Sequence, residues 1–81
     1  MARVLLFGRL ADVAGWRERR IEPLPATLAA LKTRLALDDP TLGEALAGAG
    51  VQAAIDKVLA RGDAALADVG EVAFLPPMSG G

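Results

Sequence analysis

Residues 71–77 read Glu71-Val72-Ala73-Phe74-Leu75-Pro76-Pro77, a short apolar run that ends at two prolines. Its length and its β-branched and aromatic content predict a β-strand from Glu71 to Leu75. Proline fixes φ and has no N–H, so Pro76 and Pro77 predict the end of strand pairing. We therefore expect a final strand that leads directly into an extended tail formed by residues 76–81.

A second apolar run, Ala2–Phe7, lies near the other end of the chain. A nearly uninterrupted run of this kind is typical of a central strand that is buried on both faces. Because successive side chains of a strand point to opposite faces, Leu5 and Phe7 share one face and Val4 and Leu6 share the other. Both faces of this strand are therefore apolar.

The last strand repeats this alternation, with Ala73 and Leu75 on one face and Val72 and Phe74 on the other. One long helix covers only one face of a sheet well, so two outcomes are open for the second face. It remains as an exposed apolar patch that awaits a partner, or the short helix around Thr41–Leu46 and the loops cover it.

The chain between these strands predicts both helices and strands. In order, these are a short helical or turn-like connection from Arg9 to Gly15, an edge strand from Trp16 to Ile21, a helix from Leu28 to about Leu37 with Thr27 as its N-cap, a short helix from Pro40 through Leu46 capped by Asp39, a strand within Val51–Leu59, and a turn at Gly62-Asp63. The pattern predicts an α+β fold: a β-grasp, ubiquitin-like mixed sheet with one main helix packed across it and a minor helix. Residues 1–75 form this domain in our interpretation, and residues 76–81 form the tail.

Composition limits the chemistry that this chain can perform. The 81 residues are 53% apolar, include neither Cys nor His, and carry a formal net charge of −1. These values predict one domain, no thiolate or imidazole metal site and no nucleic-acid partner. The apolar run at the N-terminus is too short for a signal peptide or a membrane span, so we expect a cytoplasmic protein that does not enter a membrane.

The sequence ends in Gly80-Gly81, and this tail is the best candidate for chemistry. Glycines lack Cβ atoms, so such a tail passes through a narrow channel in a partner protein. An ionised α-carboxylate is a poor electrophile and requires activation. Adenylation of Gly81 followed by attack of a sulfur donor would give a C-terminal thiocarboxylate, a strong sulfur nucleophile. A frayed chain end without function is the alternative.

Two segments resemble the small subunit of molybdopterin synthase, also called the small molybdopterin-converting factor, which is a ubiquitin-like sulfur carrier. The C-terminal segment Gly70–Gly81 is similar to the end of that family, and Val4–Gly15 is similar to its first strand and following turn. The chain departs from the family at Asp68-Val69-Gly70-Glu71, where Asp-Gly-Asp-Glu is common, and at Asp56, where Asn is common.

The resemblance implies a β-grasp fold and a division of labour with partner proteins. An E1-like adenylyltransferase would use ATP to activate Gly81 as a glycyl adenylate, and a sulfur donor protein would convert it to 1-thioglycine. The large synthase subunit would hold the catalytic pocket, usually in a heterotetramer, and the sulfur would pass to cyclic pyranopterin monophosphate in molybdenum cofactor biosynthesis. The chain would then be no enzyme on its own and would bind no cofactor or metal.

The resemblance also assigns partner-binding residues. Phe7, Leu59 and Leu75 match apolar positions that contact the partners in the family, and Pro76, Pro77, Met78 and Ser79 belong to the segment that threads Gly80 and Gly81 into the partner. Three alternatives stay open: a sulfur carrier for thiamine biosynthesis, a ubiquitin-like protein modifier that forms isopeptides, and an interaction domain with an inert tail.

Overall fold

The computed structural model describes residues 2–77, so Met1 and residues 78–81 lie outside the description that follows. The elements are β1 (Ala2–Leu6), α1 (Arg9–Ala14), β2 (Glu18–Ile21), α2 (Leu28–Asp38), α3 (Pro40–Leu46), β3 (Gln52–Ile55), β4 (Val58–Leu59) and β5 (Glu71–Leu75). They build a five-stranded sheet in the order β2-β1-β5-β3-β4. The central pair, β1 and β5, is parallel, and the other pairs are antiparallel. This is the β-grasp arrangement that the sequence predicts.

One face of the sheet carries the hydrophobic core, and we call it the inner face. Val4, Leu6, Val72 and Phe74 point to this face and are at most 2% exposed. Buried leucines of all three helices join them in one cluster: Leu10 of α1, Leu28, Leu31 and Leu35 of α2, and Leu42 and Leu46 of α3. The spacing of the α2 leucines follows the helical repeat, so the predicted apolar stripe is confirmed.

Side-chain caps fix the ends of the two main helices. The Thr27 hydroxyl accepts a hydrogen bond from the Ala30 N–H at 3.1 Å, which confirms Thr27 as the N-cap of α2. Asp63, from the loop before β5, also accepts the Ala29 N–H at 2.9 Å. Asp39 ends α2 and begins α3, because its carboxylate accepts the N–H groups of Thr41 and Leu42. The caps therefore fix the residues at which both helices begin.

Helices α2 and α3 approach each other closely at one glycine. An ideal Cβ built on Gly43 would lie 2.4 Å from the Ala36 Cβ, well inside the contact distance of two carbon atoms. The absence of a side chain at Gly43 lets α3 press against α2, and the leucines of both helices thereby reach the same core.

The structure corrects two of the predictions. The strand that begins at Ala2 ends at Leu6 rather than Phe7, and only its inner face is buried, since Arg3 is exposed and Leu5 is half-buried. The segment Val51–Leu59 contains two strands, because a turn at Asp56-Lys57 folds it into the hairpin β3-β4. Both turn residues have positive φ, 47° and 71°, as a tight two-residue hairpin requires.

Candidate functional site

The second face of the sheet, which we call the outer face, carries a row of apolar side chains. The strand register places Leu5 of β1 beside Ala73 of β5, Ala73 opposite Ala54 of β3, and Ala54 opposite Leu59 of β4. Residues that are paired across neighbouring strands share a face. The row therefore crosses four of the five strands on the side away from the helices.

Phe7 and Leu75 extend this row toward the end of the chain that carries the tail. Alternation puts both on the outer face, and the Phe7 N–H donates to the Phe74 carbonyl at 3.2 Å, so that Phe7 lies next to the end of β5. Phe7 is 45% exposed and Leu59 is 55% exposed. The outer face thus keeps large apolar side chains in contact with solvent, and α3 packs on the inner face instead of covering them.

A charged border limits the outer face at its other end. The Arg3 guanidinium lies 3.1 Å from the Glu71 carboxylate and 4.0 Å from that of Glu18. Arg3 is half exposed, so these ion pairs contribute little stability. Arg3 and Glu71 nevertheless stand two residues before Leu5 and Ala73 in their strands. The apolar surface therefore begins beyond this charged pair, toward the end of the sheet where β5 leads into the tail.

The beginning of the tail lies against the domain between two glycines. An ideal Cβ on Gly8 would be 3.0 Å from the Pro76 Cγ, and one on Gly50 would be 2.8 Å from the Pro77 Cβ. Gly8 follows β1 and Gly50 precedes β3, the strands on either side of β5. We call Pro76, Pro77, Gly8 and Gly50 together the tail base.

A cavity of about 280 Å³ opens beside the tail base, between α1 and α3. Its lining consists of Arg9, Leu10, Val13, Ala45, Gly48, Ala49, Val51, Pro76 and Pro77. Arg9 is the one ionisable residue in this lining, and an arginine is neither a nucleophile nor a proton acceptor at neutral pH. The side chains that line this cavity therefore include no nucleophile and no proton acceptor.

The structure brings three of the sequence-predicted partner residues together. Phe7, Leu59 and Leu75 share the outer face, and Pro76 and Pro77 continue from it at the end of β5. The predictions for Met78, Ser79, Gly80 and Gly81 fall outside the described residues. Sequence reasoning missed Gly8 and Gly50, because their places beside Pro76 and Pro77 follow from the strand register, which the sequence does not give.

Further findings concern residues 2–77 as a whole. The predicted edge position of the arginine-rich strand is confirmed, since β2 is at the edge of the sheet and Arg19 stacks on the Trp16 ring at 4.5 Å. The same residues contain no group of three or more acidic side chains that could hold a metal ion. They also include no helix with the length and hydropathy of a membrane span.

The β-grasp fold, with its exposed apolar outer face beside the last strand, is that of the ubiquitin-like proteins. The ThiS family model matches residues 4–81, and the chain belongs to this family of ubiquitin-like sulfur carriers. Carriers of this class generally work with E1-like activating enzymes and sulfur-transfer partners.

The chain is also similar to a solved structure over nearly its whole length. The crystal structure of SAMP1 from Haloferax volcanii matches with a TM-score of 0.81 and 29% sequence identity, over 99% of this chain and 98% of that one. This likeness confirms the predicted fold. No curated protein matches the chain.

Proposed function

We propose that this chain is the sulfur-carrier subunit of molybdopterin synthase. In this function Gly81 is adenylated, becomes a thiocarboxylate and donates its sulfur to cyclic pyranopterin monophosphate. Membership of the ThiS family supports the sulfur-carrier part of the proposal. The molybdopterin route rests on the resemblance of Gly70–Gly81 and Val4–Gly15 to the small synthase subunit.

The observation that carries the proposal is the placement of an exposed apolar face at the end of the strand that leads into the tail. Leu75 belongs to β5 and lies next to Pro76, so a protein that binds the outer face sits directly beside the tail base. Exposed apolar patches of this kind mark protein interaction sites. Docking through Phe7, Leu59 and Leu75 would therefore deliver Gly80 and Gly81 into the partner.

The proposed chemistry requires nothing of the folded domain beyond presentation. The Gly81 carboxylate attacks the α-phosphorus of ATP on the activating enzyme, and pyrophosphate leaves. Sulfur at the oxidation level of sulfide, supplied by the donor protein, then attacks the acyl carbon and displaces AMP. Each chain carries one sulfur and a dithiolene contains two, so two charged chains are needed for each pterin.

Intact mass of the protein purified from cells that contain its activating enzyme tests the sulfur-carrier step. Replacement of one carboxylate oxygen by sulfur adds about 16 Da. A variant without Gly81 is the control, and it should fold normally yet show no such species. Unchanged pterin sulfuration by this shortened chain would refute the mechanism.

Partner choice separates the molybdopterin route from its alternatives. We expect the protein to bind a molybdopterin synthase large subunit and not a thiazole synthase, and the reverse preference would assign it to thiamine biosynthesis. Conjugates that survive denaturation and depend on Gly81 would instead identify a protein modifier. An interaction domain with an inert tail would bind a partner without any change in mass.

A further inference from the structure

The residues of the tail base continue the register of the strands, although the sheet itself ends before Pro76 and Pro77. The antiparallel register pairs Gln52 with Leu75, and two further positions bring Gly50 opposite Pro77. The parallel register pairs Leu6 with Phe74, and two further positions bring Gly8 beside Pro76. Each proline thus meets a glycine where a paired strand residue would otherwise lie.

Close packing replaces hydrogen bonds at these two positions. A Cβ on Gly50 would lie 2.8 Å from the Pro77 Cβ and 3.6 Å from its Cα, and neither atom can rotate away, because both belong to a closed ring with fixed φ. The corresponding approach at Gly8 is 3.0 Å, to the Cγ of Pro76. Any side chain at Gly50 would therefore force the backbone of the tail, or that of the loop before β3, to shift.

Positive φ alone could explain why glycine stands at these two positions, whatever the contact with the prolines. Gly8 and Gly50 have φ of 55° and 84°. The chain offers a direct comparison. Gly15 has φ of 82° and nothing within 4 Å of its ideal Cβ position. Alanine at Gly15 therefore meets a similar backbone strain to alanine at Gly50 and lacks the contact with the tail.

We propose that Gly8 and Gly50 are positioning residues that seat Pro76 and Pro77 and so fix the direction in which the C-terminal tail enters the active site of the activating enzyme. The inference rests on the proposed function, because it concerns the delivery of Gly81. A segment that leaves the domain in a fixed direction holds the bound end nearer to the geometry in which it reacts, which affects the chemical step.

Direction at the tail base matters because Gly81 follows Pro77 by four residues in the sequence. Any extended chain of four residues spans about 13 Å, so a tilt of about 10° at its base moves its end by roughly 2 Å. Misplacement of a reacting group by about 1 Å costs up to a hundredfold in rate. Gly50 precedes β3 and is not one of the apolar residues of the outer face, so a change at Gly50 should slow the chemical step more than it weakens docking.

The test measures ATP–pyrophosphate exchange by the E1-like adenylyltransferase that activates the wild-type chain, with the carrier concentration varied. We expect Gly50→Ala to lower kcat about tenfold and to change KM for the carrier less than about twofold. Gly15→Ala should stay within about twofold of wild type in both constants, since it carries the strain alone. In the isolated protein, the nuclear Overhauser contact between Gly50 and Pro77 should be lost in Gly50→Ala and kept in Gly15→Ala.

A second variant approaches the same contact from the tail. Pro77→Gly removes the ring that Gly50 accommodates, and it should also lower kcat. Because Pro77 is one of the predicted partner-binding residues, we expect its KM to rise as well, and kcat is the constant that is compared. If the two residues act through one contact, the double variant Gly50→Ala/Pro77→Gly should be no slower than Pro77→Gly alone. This comparison also serves if Gly50→Ala by itself folds poorly.

The outcomes separate the two proposals. Wild-type kcat in folded Gly50→Ala, equal losses in Gly50→Ala and Gly15→Ala, or fully multiplicative losses in the double variant would each overturn the positioning role and leave the sulfur-carrier function intact. Failure of every E1-like adenylyltransferase to adenylate the wild-type chain would overturn the proposed function itself, and the positioning role with it.

Discussion

The chain has two phenylalanines, and they lie on opposite faces of the same sheet. Phe74 points to the inner face and is fully buried, whereas Phe7 is 45% exposed on the outer face. The two residues are close, since the Phe7 N–H donates to the Phe74 carbonyl. A sequence pattern that is apolar on both faces therefore gives a buried core on one face and an exposed apolar surface on the other.

The difference arises from what covers each face. Helices α1, α2 and α3 contribute their buried leucines to the cluster that contains Phe74. The outer face retains Leu5, Phe7, Leu59 and Leu75, and the last residue of β5, Leu75, lies where the tail begins. Stability should depend on the inner face and partner affinity on the outer face, and four substitutions examine this separation.

Phe74→Ala should have the largest effect on stability. Removal of a fully buried phenylalanine side chain costs about 3–5 kcal/mol, and a domain of this size has only about 5–10 kcal/mol of unfolding free energy. We expect the variant to unfold at a much lower urea concentration, as measured by circular dichroism. Phe74→Leu conserves most of the volume and should cost less than about 1.5 kcal/mol. A loss below about 1 kcal/mol for the alanine variant would contradict the assignment of Phe74 to the core.

Gly43→Ala should have the next largest effect, and its sign opposes helix propensity. Alanine in a helix interior is favoured over glycine by about 1 kcal/mol. Here the new Cβ would lie 2.4 Å from that of Ala36, so α3 must move away from α2. Overpacking of this kind costs about 1–3 kcal/mol, and we expect net destabilisation in urea unfolding. Combination with Ala36→Gly should recover part of the loss, and a stabilised Gly43→Ala would show that the helices separate freely.

Local rules predicted the elements whose signals lie in neighbouring residues. Each helix cap and each step of the leucine stripe involves residues at most four positions apart. The structure confirms Thr27, Asp39 and the stripe of α2. The hairpin β3-β4 was missed because Asp56-Lys57 is not one of the glycine-containing pairs that usually mark a two-residue turn. A run read as one strand therefore proved to be two.

Features that depend on pairing between distant segments could not be predicted in the same way. Alternation shows that both sheet faces are apolar, but it does not say which face the helices cover. The contacts of Gly8 with Pro76 and of Gly50 with Pro77 depend on the register of β1, β5 and β3, which only the folded sheet defines. Alternation alone predicted that Leu5 and Phe7 share a face and that Ala73 and Leu75 share a face, but only the register of β1 and β5 shows that these two faces are the same.

Asp56→Ala should have a smaller effect, since it acts at the edge of the sheet rather than in the core. The Asp56 carboxylate accepts the N–H groups of Gly70 and Glu71 at 3.1 and 3.0 Å, which fixes the start of β5 against the β3-β4 turn. Loss of this acceptor, together with alanine at φ of 47°, should cost about 1–2 kcal/mol. Asp56→Asn keeps an acceptor and tolerates positive φ, so it should retain most of the stability. Equal losses in the two variants would show that the charge, and not the hydrogen bonding, is what matters.

Phe7→Ala should have the smallest effect on stability and a large effect on binding. The side chain is already half exposed, so its truncation should lower the free energy of unfolding by less than about 1 kcal/mol. Loss of an aromatic anchor at an interface costs about 2 kcal/mol or more, which corresponds to at least a tenfold rise in the Kd for the activating enzyme or the large synthase subunit. Leu37→Ala is the matched control, because Leu37 is 79% exposed on α2 and lies away from the outer face. If both variants weakened binding equally, or if Phe7→Ala destabilised the domain as much as Phe74→Ala, the two faces of the sheet would not have the separate functions that their burial indicates.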